Sequence, residues 1–193
     1  MINRFSKQII NSIVSQTKRD IEFEQLEVYI YGLECFINTA VPVIILTAFS
    51  IFTSSVFETW LWIMLFSVLR KYTGGYHAPS QLTCMTSTIG LGIINTLLIR
   101  HCSFHWTYCS LCYVLFALLI IFLCPLESHK IELTLLQKKQ HKCYALGIVT
   151  MISLLSLYLP DKYSITLMYS SASCLLLVIA EILHRKLLPF KIA

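Results

Sequence analysis

Long apolar runs, separated by short polar punctuation, make up most of the chain, and they carry helical rather than strand periodicity. From Ile2 to about Val14, Ile2, Phe5, Ile9 and Ile13 recur at helical spacing while Arg4, Lys7, Asn11 and Ser12 occupy the other positions. This pattern predicts an amphipathic helix, suited either to the membrane surface or to packing on the protein's own cytoplasmic side. Acid is concentrated next, at Asp20, Glu22, Glu24, Glu27 and Glu34, with Leu26, Tyr29, Ile30 and Leu33 as the apolar complement. A second helix leading into a first span is expected here, its carboxylates forming a solvated face.

The apolar runs then predict spans over about 35–52, 82–99, 104–123, 144–159 and 164–183, with Pro42 bending the first and Asn38 requiring an interior partner. Between the first two lies the run 59–69, about 16 Å long as a helix against a hydrocarbon core of about 30 Å. Too short to cross alone, it predicts that residues 70–84 are drawn into the membrane's depth or complete the crossing. Residues 125–143 read as a basic cytoplasmic loop with a surface helix near 131–140, and Pro160-Asp161-Lys162 as an outer turn. The expected fold is all-α: a polytopic membrane protein of about six transmembrane helices plus the N-terminal amphipathic helix. It forms one membrane-embedded domain over 1–193, with interfacial helices in 1–34, the bundle in 35–183 and a basic tail in 184–193.

Composition narrows the class without changing this picture. A chain of 193 residues that is 56% hydrophobic, with a mean hydropathy of +0.71, is poorly described as a soluble domain. The N-terminal residues lack the apolar core and small-residue cleavage site of a secretory signal, so the N-terminus is expected to be retained. Most of the 8 cysteines fall in or beside apolar runs, where a free thiol behaves as a small hydrophobe, so they are expected to be reduced. The net charge of +5 does not point to nucleic acid, because the basic residues mark the ends of apolar runs instead of lining one face. Of the 15 Lys and Arg residues, only Arg100 and Lys162 fall in outer turns under this scheme. That positive-inside bias places both termini and the 70–84 segment on the cytoplasmic side.

The chemistry gathers in that segment, Arg70-Lys-Tyr-Thr-Gly-Gly-Tyr-His77-Ala-Pro-Ser-Gln-Leu-Thr-Cys84. A thiol attacks as its thiolate, and a neighbouring imidazole can take the proton and return it later. On one continuous helix His77 and Cys84 would stand about 10 Å apart along the axis, so the chain must fold back to pair them. Gly74 and Gly75 permit a bend, and a new helix from about Pro79 would put Cys84 near the positive end of its dipole, with Arg70 and Lys71 nearby. The same residues also read as a positively charged turn with a cysteine that merely packs.

Other features compete less well. Cys109-Ser-Leu-Cys112 is a C-x-x-C that a membrane thiol oxidoreductase could use, but such enzymes need a second exposed thiol pair and only Cys102 lies nearby. His101 and His105 are spaced to share a helical face, yet no carboxylate accompanies them, and an interfacial cap with Trp106 and Tyr108 fits better than a metal site. Glu34 and Glu181 lie near the cytoplasmic interface, where pairing with Arg185 or Lys186 accounts for the second. A third member orienting His77 would be chemically useful, and Glu34 is a candidate. No phosphate-binding Gly-rich lysine motif is present, which argues against a self-powered pump.

In the order and spacing of Arg70, Gly75, His77 and Cys84, the segment resembles the accessory gene regulator B (AgrB) family, bacterial membrane endopeptidases that process a quorum-sensing propeptide. The likeness extends to length, hydropathy and the basic stretch after Pro125. It implies that His77 and Cys84 are the catalytic pair and that Arg70, Gly75 and Lys130 support or bind substrate. The chain carries Ser128-His129-Lys130 where members often have a denser lysine run, which weakens the assignment of Lys130. The resemblance further implies release of the propeptide's C-terminal tail through an acyl-enzyme thioester, leading to a thiolactone, with no cofactor or metal. Its implied partners are an AgrD-like propeptide, the bilayer of the bacterial cell membrane, and a second copy in a homodimer. The alternative from another class is a peptide exporter or binding protein in which the cysteine is incidental.

Overall fold

The computed structural model describes residues 2–17, 23–75, 80–101, 106–126 and 134–187. These form seven α-helices and, among the described residues, no strand. They are α1 (Ile2–Thr17), α2 (Phe23–Phe52), α3 (Val56–Thr73), α4 (Gln81–His101), α5 (Trp106–Leu123), α6 (Leu135–Ser156) and α7 (Asp161–Leu187). Three stretches, Glu24–Phe52, Gln81–His101 and Asp161–Lys186, are long and apolar enough to cross a membrane. By its contacts the chain divides into two compact units, Met1–Ile45 with Ala78–Ile89, and Leu46–His77 with Gly90–Ala193.

Three expected boundaries are redrawn. The acidic helix and the first span are one continuous helix of 30 residues, which passes through Pro42. Pro42 has no N–H for the Asn38 carbonyl, a loss that membrane helices tolerate where neighbouring groups compensate. The interior partner expected for Asn38 is not found: its Oδ1 is buried without a hydrogen-bond partner among the described residues.

The short run 59–69 is the middle of an 18-residue helix, α3, about 27 Å long. Arg70 and Lys71 therefore lie in its last turn, where cations complement the helix dipole, and not in irregular backbone. The surface helix near 131–140 and the span 144–159 are likewise one helix, α6, of 22 residues. Thr134 starts it by a capping box, its hydroxyl accepting from the Gln137 amide (3.3 Å) while the Gln137 side chain accepts from the Thr134 amide (3.0 Å).

In the first unit, α1 meets α2 through a side-chain hydrogen bond. Asn3 bonds Glu34 of α2, and Ser6 is fully buried, whereas Phe5 (56%) and Ile13 (52%) of the apolar stripe remain exposed. A helix that turns Asn3 and Ser6 to the protein and leaves Phe5 and Ile13 uncovered is suited to lie against lipid.

The second unit holds the main core. α3, α5, α6 and α7 pack against one another around Trp62, Phe66, Leu69, Tyr113, Val149, Leu175 and Val178. Trp62 stacks on Phe66 with ring centroids 4.8 Å apart. The α7 surface buries Ser164, Thr166, Ser170, Ser171 and Ser173, small residues that let helices approach closely in lipid. Polar groups inside are paired: Ser173 Oγ accepts from Asn95 Nδ2 (2.9 Å) and lies 3.4 Å from Trp62 Nε1, which donates to it. Thr59 and Thr96 share a hydroxyl contact of 3.2 Å. Gly92 of α4 lies close under Leu46: a Cβ there would lie 2.6 Å from the Leu46 side chain, which would have to shift to admit it.

Candidate active site

Cys84 is the fourth residue of α4. Its amide donates to the Ser80 carbonyl at 3.1 Å, and the Ser80 hydroxyl accepts from the Thr83 amide at 3.1 Å, so Ser80 is the N-cap and the helix begins at Gln81. The expected start near Pro79 is thus two residues early. Farther along, Thr86, Ser87 and Thr88 return their hydroxyls to carbonyls one turn back, and the Cys84 carbonyl accepts from Ser87 (3.1 Å) and Thr88 (2.9 Å). Hydroxyls satisfied in this way can sit in a lipid-facing helix without an unpaired polar group.

The thiol lies on a definite face. Gln81, Cys84, Met85 and Thr88 are half-buried, while Leu82, Thr83, Thr86 and Ser87 are exposed. Gln81 heads the half-buried face and donates from Nε2 to Glu34 Oε2 at 2.7 Å. The other oxygen of the same carboxylate accepts from Asn3 Nδ2 at 2.6 Å. Glu34 is only 7% exposed, unlike Glu24 and Glu27, which form the expected solvated face. The carboxylate that sequence reasoning weighed as a member of the site is therefore held one helical turn from Cys84, through Gln81. The Ser80-x-x-Thr83 cap could have been read from the sequence; the Asn3, Glu34 and Gln81 cluster could not, because its members come from three helices.

Arg70 and Gly75 belong to the second unit, at the end of α3. Gly74 closes that helix with φ 71°, its amide donating to the Arg70 carbonyl at 3.1 Å, and Gly75 follows with φ 130°. Both angles lie where side chains are rarely accommodated, so the bend expected at the two glycines is present. The Arg70 guanidinium stands 5.8 Å from the centre of the Phe66 ring. His77 and Lys130 lie outside the described residues.

The rival sites are less well formed. Cys109 is 1% exposed in the core and Cys112 half-buried, both unbridged, unlike the accessible dithiol of an oxidoreductase. Cys102 and His105 fall outside the described residues, and His101 is exposed. Glu181 is bonded by Arg185 at 2.7 Å, the pairing expected from their spacing. A cavity of about 590 Å³, lined by residues including Thr53, Arg100, His101 and Lys162, opens beside the start of α3. That is the end of α3 away from Arg70 and Gly75.

The family model for accessory gene regulator B matches residues 6–183. The chain belongs to this family. It is 26% identical over 99 residues to accessory gene regulator protein B of Staphylococcus aureus (strain MRSA252), covering 51% of this chain and 53% of that one. It is 29% identical over 100 residues to an AgrB-like protein of Clostridium perfringens (strain 13 / Type A), covering 52% of this chain and 46% of the relative. A second AgrB-like protein of Clostridium perfringens (strain SM101 / Type A) is 30% identical over 99 residues, 51% of this chain and 44% of its own. The matched region thus spans about half the length of these curated relatives. No solved structure matches the chain.

Proposed function

We propose that the chain is a membrane cysteine endopeptidase that removes the C-terminal tail of an AgrD-type quorum-sensing propeptide. Within a chain of this family, the observation that carries the reading is the position of Cys84 in the first turn of α4. There the positive end of the helix faces the negative charge that develops on Sγ as the thiol gives up its proton.

In this reading Cys84 Sγ attacks the carbonyl carbon of the scissile peptide bond. His77 accepts the thiol proton and delivers it to the departing amine as the C–N bond breaks. The tail leaves with a free amino end, and the retained part of the propeptide is a thioester on Cys84. A thiolate of the propeptide then attacks the thioester carbonyl, forming a thiolactone and returning the Cys84 thiolate. Exchange of one thioester for another is nearly isoenergetic, so the ring-closing thiol must be held close and water kept away. Backbone amides, either around Gly75 or at the start of α4 before Thr83, are the proposed donors to the oxyanion. Arg70 and Lys130 serve the substrate, and the protein works as a homodimer.

The same reading places six crossings in the cell membrane, with both termini and the catalytic segment on the cytoplasmic side. The charge asymmetry supports it: this arrangement gathers Arg70, Lys71, Lys138, Lys139, Lys142, Arg185 and Lys186 on that side and leaves only Arg100 and Lys162 on the other. The exposed Phe5 and Ile13 of α1 would lie at the same interface and meet an amphipathic propeptide leader there.

The test is to trap the intermediate. Membranes co-expressing the chain with its propeptide are quenched in acid, and the Cys84 peptide is weighed by mass spectrometry. An adduct equal to the propeptide lacking its tail, released by hydroxylamine and absent from Cys84→Ser, is expected. Tail release with no such adduct at any time, and undiminished in Cys84→Ser, would overturn the proposal.

A further inference from the structure

Glu34 sits at the junction of three helices in the first unit. It lies on α2, is 7% exposed, and gives one carboxylate oxygen to Asn3 of α1 (2.6 Å) and the other to Gln81 of α4 (2.7 Å). A carboxylate this far from water is stable only while its oxygens are satisfied, so the two amide contacts fix as well as neutralise the demand. Gln81 is the first residue of α4, and Cys84 lies three residues on, on the same half-buried face. Hydroxyl-to-backbone bonds brace that turn, with the Ser80 cap below and the Thr88 and Ser87 hydroxyls on the Cys84 carbonyl above. Whatever holds Gln81 therefore holds Cys84.

We infer that Glu34 is a positioning residue for the nucleophile: by anchoring Gln81 to α2 it sets the direction and depth of the Cys84 thiol. This rests on the proposed peptidase function. Glu34 touches no reacting atom; it acts through Gln81. The effect is on chemistry more than on substrate binding, because a displacement of about 1 Å at a reacting atom can cost about 100-fold in rate. The carboxylate's two lone-pair sets are what the geometry uses, so a glutamine at 34 can still accept from Asn3 and, with the Gln81 amide turned, bond Gln81.

The test follows tail release from the cognate propeptide by the full-length chain in native membranes, normalised to the amount of folded protein. Glu34→Ala and Gln81→Ala are expected to lower kcat about tenfold or more with KM little changed, and Glu34→Gln to retain most of the rate. Gln81→Glu places two carboxylates against each other and is expected to lose release by at least as much. Adding Glu34→Gln to Gln81→Glu restores an amide-to-carboxylate pair and is expected to recover it. Recovery in the double variant is the result that a general packing role would not give, and it stands even if Glu34→Ala fails to fold. Wild-type rates in Gln81→Glu, absence of recovery in the double variant, or losses confined to KM would overturn the inference. Cys84→Ser, run in parallel, separates the two levels: if it cleaves normally, the peptidase reading fails; if it is inactive while Gln81→Glu is unaffected, only the role of Glu34 fails.

Discussion

Gly74 is packed against the backbone of Leu126, so closely that a Cβ on Gly74 would collide with the Leu126 carbonyl oxygen. The Leu126 amide in turn donates to the Thr73 carbonyl at 3.1 Å, which ties the end of α3 to the chain leaving α5. The turn that leads toward His77 is thus fastened by backbone, and Gly74 holds φ 71° to permit it. Gly74→Ala meets both the contact and the unfavourable angle, and a loss of about 2 kcal/mol or more is expected. Thermal unfolding in detergent should show a Tm several degrees lower, whereas an unchanged Tm would mean that the Leu126 backbone moves aside freely.

Inside the second unit, Ser173 Oγ is shared by Asn95 and Trp62. Replacing Asn95, 5% exposed, by Leu removes the hydrogen bond and forces extra volume between α4 and α7. Interhelical hydrogen bonds in membranes average about 0.6 kcal/mol and reach about 1.7. A larger penalty, of about 2 kcal/mol, is expected for Asn95→Leu than for Asn95→Ala, because overpacking adds to the lost bond. Equal Tm values for the two would show that the site has room to spare.

Glu58 is 5% exposed and pairs with Lys162 at 2.6 Å, whose own side chain is half in solvent. The two sides of the pair are unequal. Lys162→Met leaves a carboxylate buried without its cation, while Glu58→Gln leaves a lysine that can turn to water. Lys162→Met is therefore expected to lower Tm more than Glu58→Gln, by the equivalent of about 1 kcal/mol once the lysine's exposure is allowed for. Charge is what Lys162→Arg keeps, and it should retain most of the stability. The reverse ranking, measured by the same unfolding assay, would show that the pair is a surface contact of no consequence.

The helices were legible where one residue pattern ran unbroken, and misjudged where a local signal was weighed against its neighbours. The amphipathic α1, the apolar runs of α4, α5 and α7 and the glycine bend at 74 and 75 follow from spacing and backbone freedom alone. The acidic helix and the first span read as separate pieces, yet α2 runs unbroken from Phe23 through Pro42, because membrane helices survive a missing N–H. Arg70 and Lys71 read as the start of a polar segment, yet they finish α3, since the C-terminal end of a helix favours cations. At α6 the cap formed by Thr134 and Gln137 was present in the sequence and outweighs the basic character of the residues after it. For the site, the thiol and its place early in a helix were readable. The clamp on Gln81 was not, because it depends on Asn3 and Glu34, 78 and 47 positions away.

Thiol accessibility tests burial and orientation together. Cys35 and Cys143 are exposed, Cys84 is half-buried, and Cys109, Cys124 and Cys174 are buried. In single-cysteine variants, a membrane-impermeant maleimide is expected to label Cys143 rapidly, and Cys84 more slowly, in inside-out vesicles. Neither should react in intact cells, while Cys109, Cys124 and Cys174 stay protected until detergent and denaturant are added. Labelling of Cys143 from outside intact cells would contradict the proposed cytoplasmic placement of the start of α6.

The most direct measurement is release of a C-terminal tag from the cognate propeptide co-expressed with the wild-type chain, Cys84→Ser and His77→Ala, each at matched levels in the membrane. The expected result is tail release by the wild type alone, with losses of about 1,000-fold or more in both variants, as befits a nucleophile and its base acting as a unit. Normal release by Cys84→Ser and His77→Ala would contradict the assignment of these two residues as the catalytic pair.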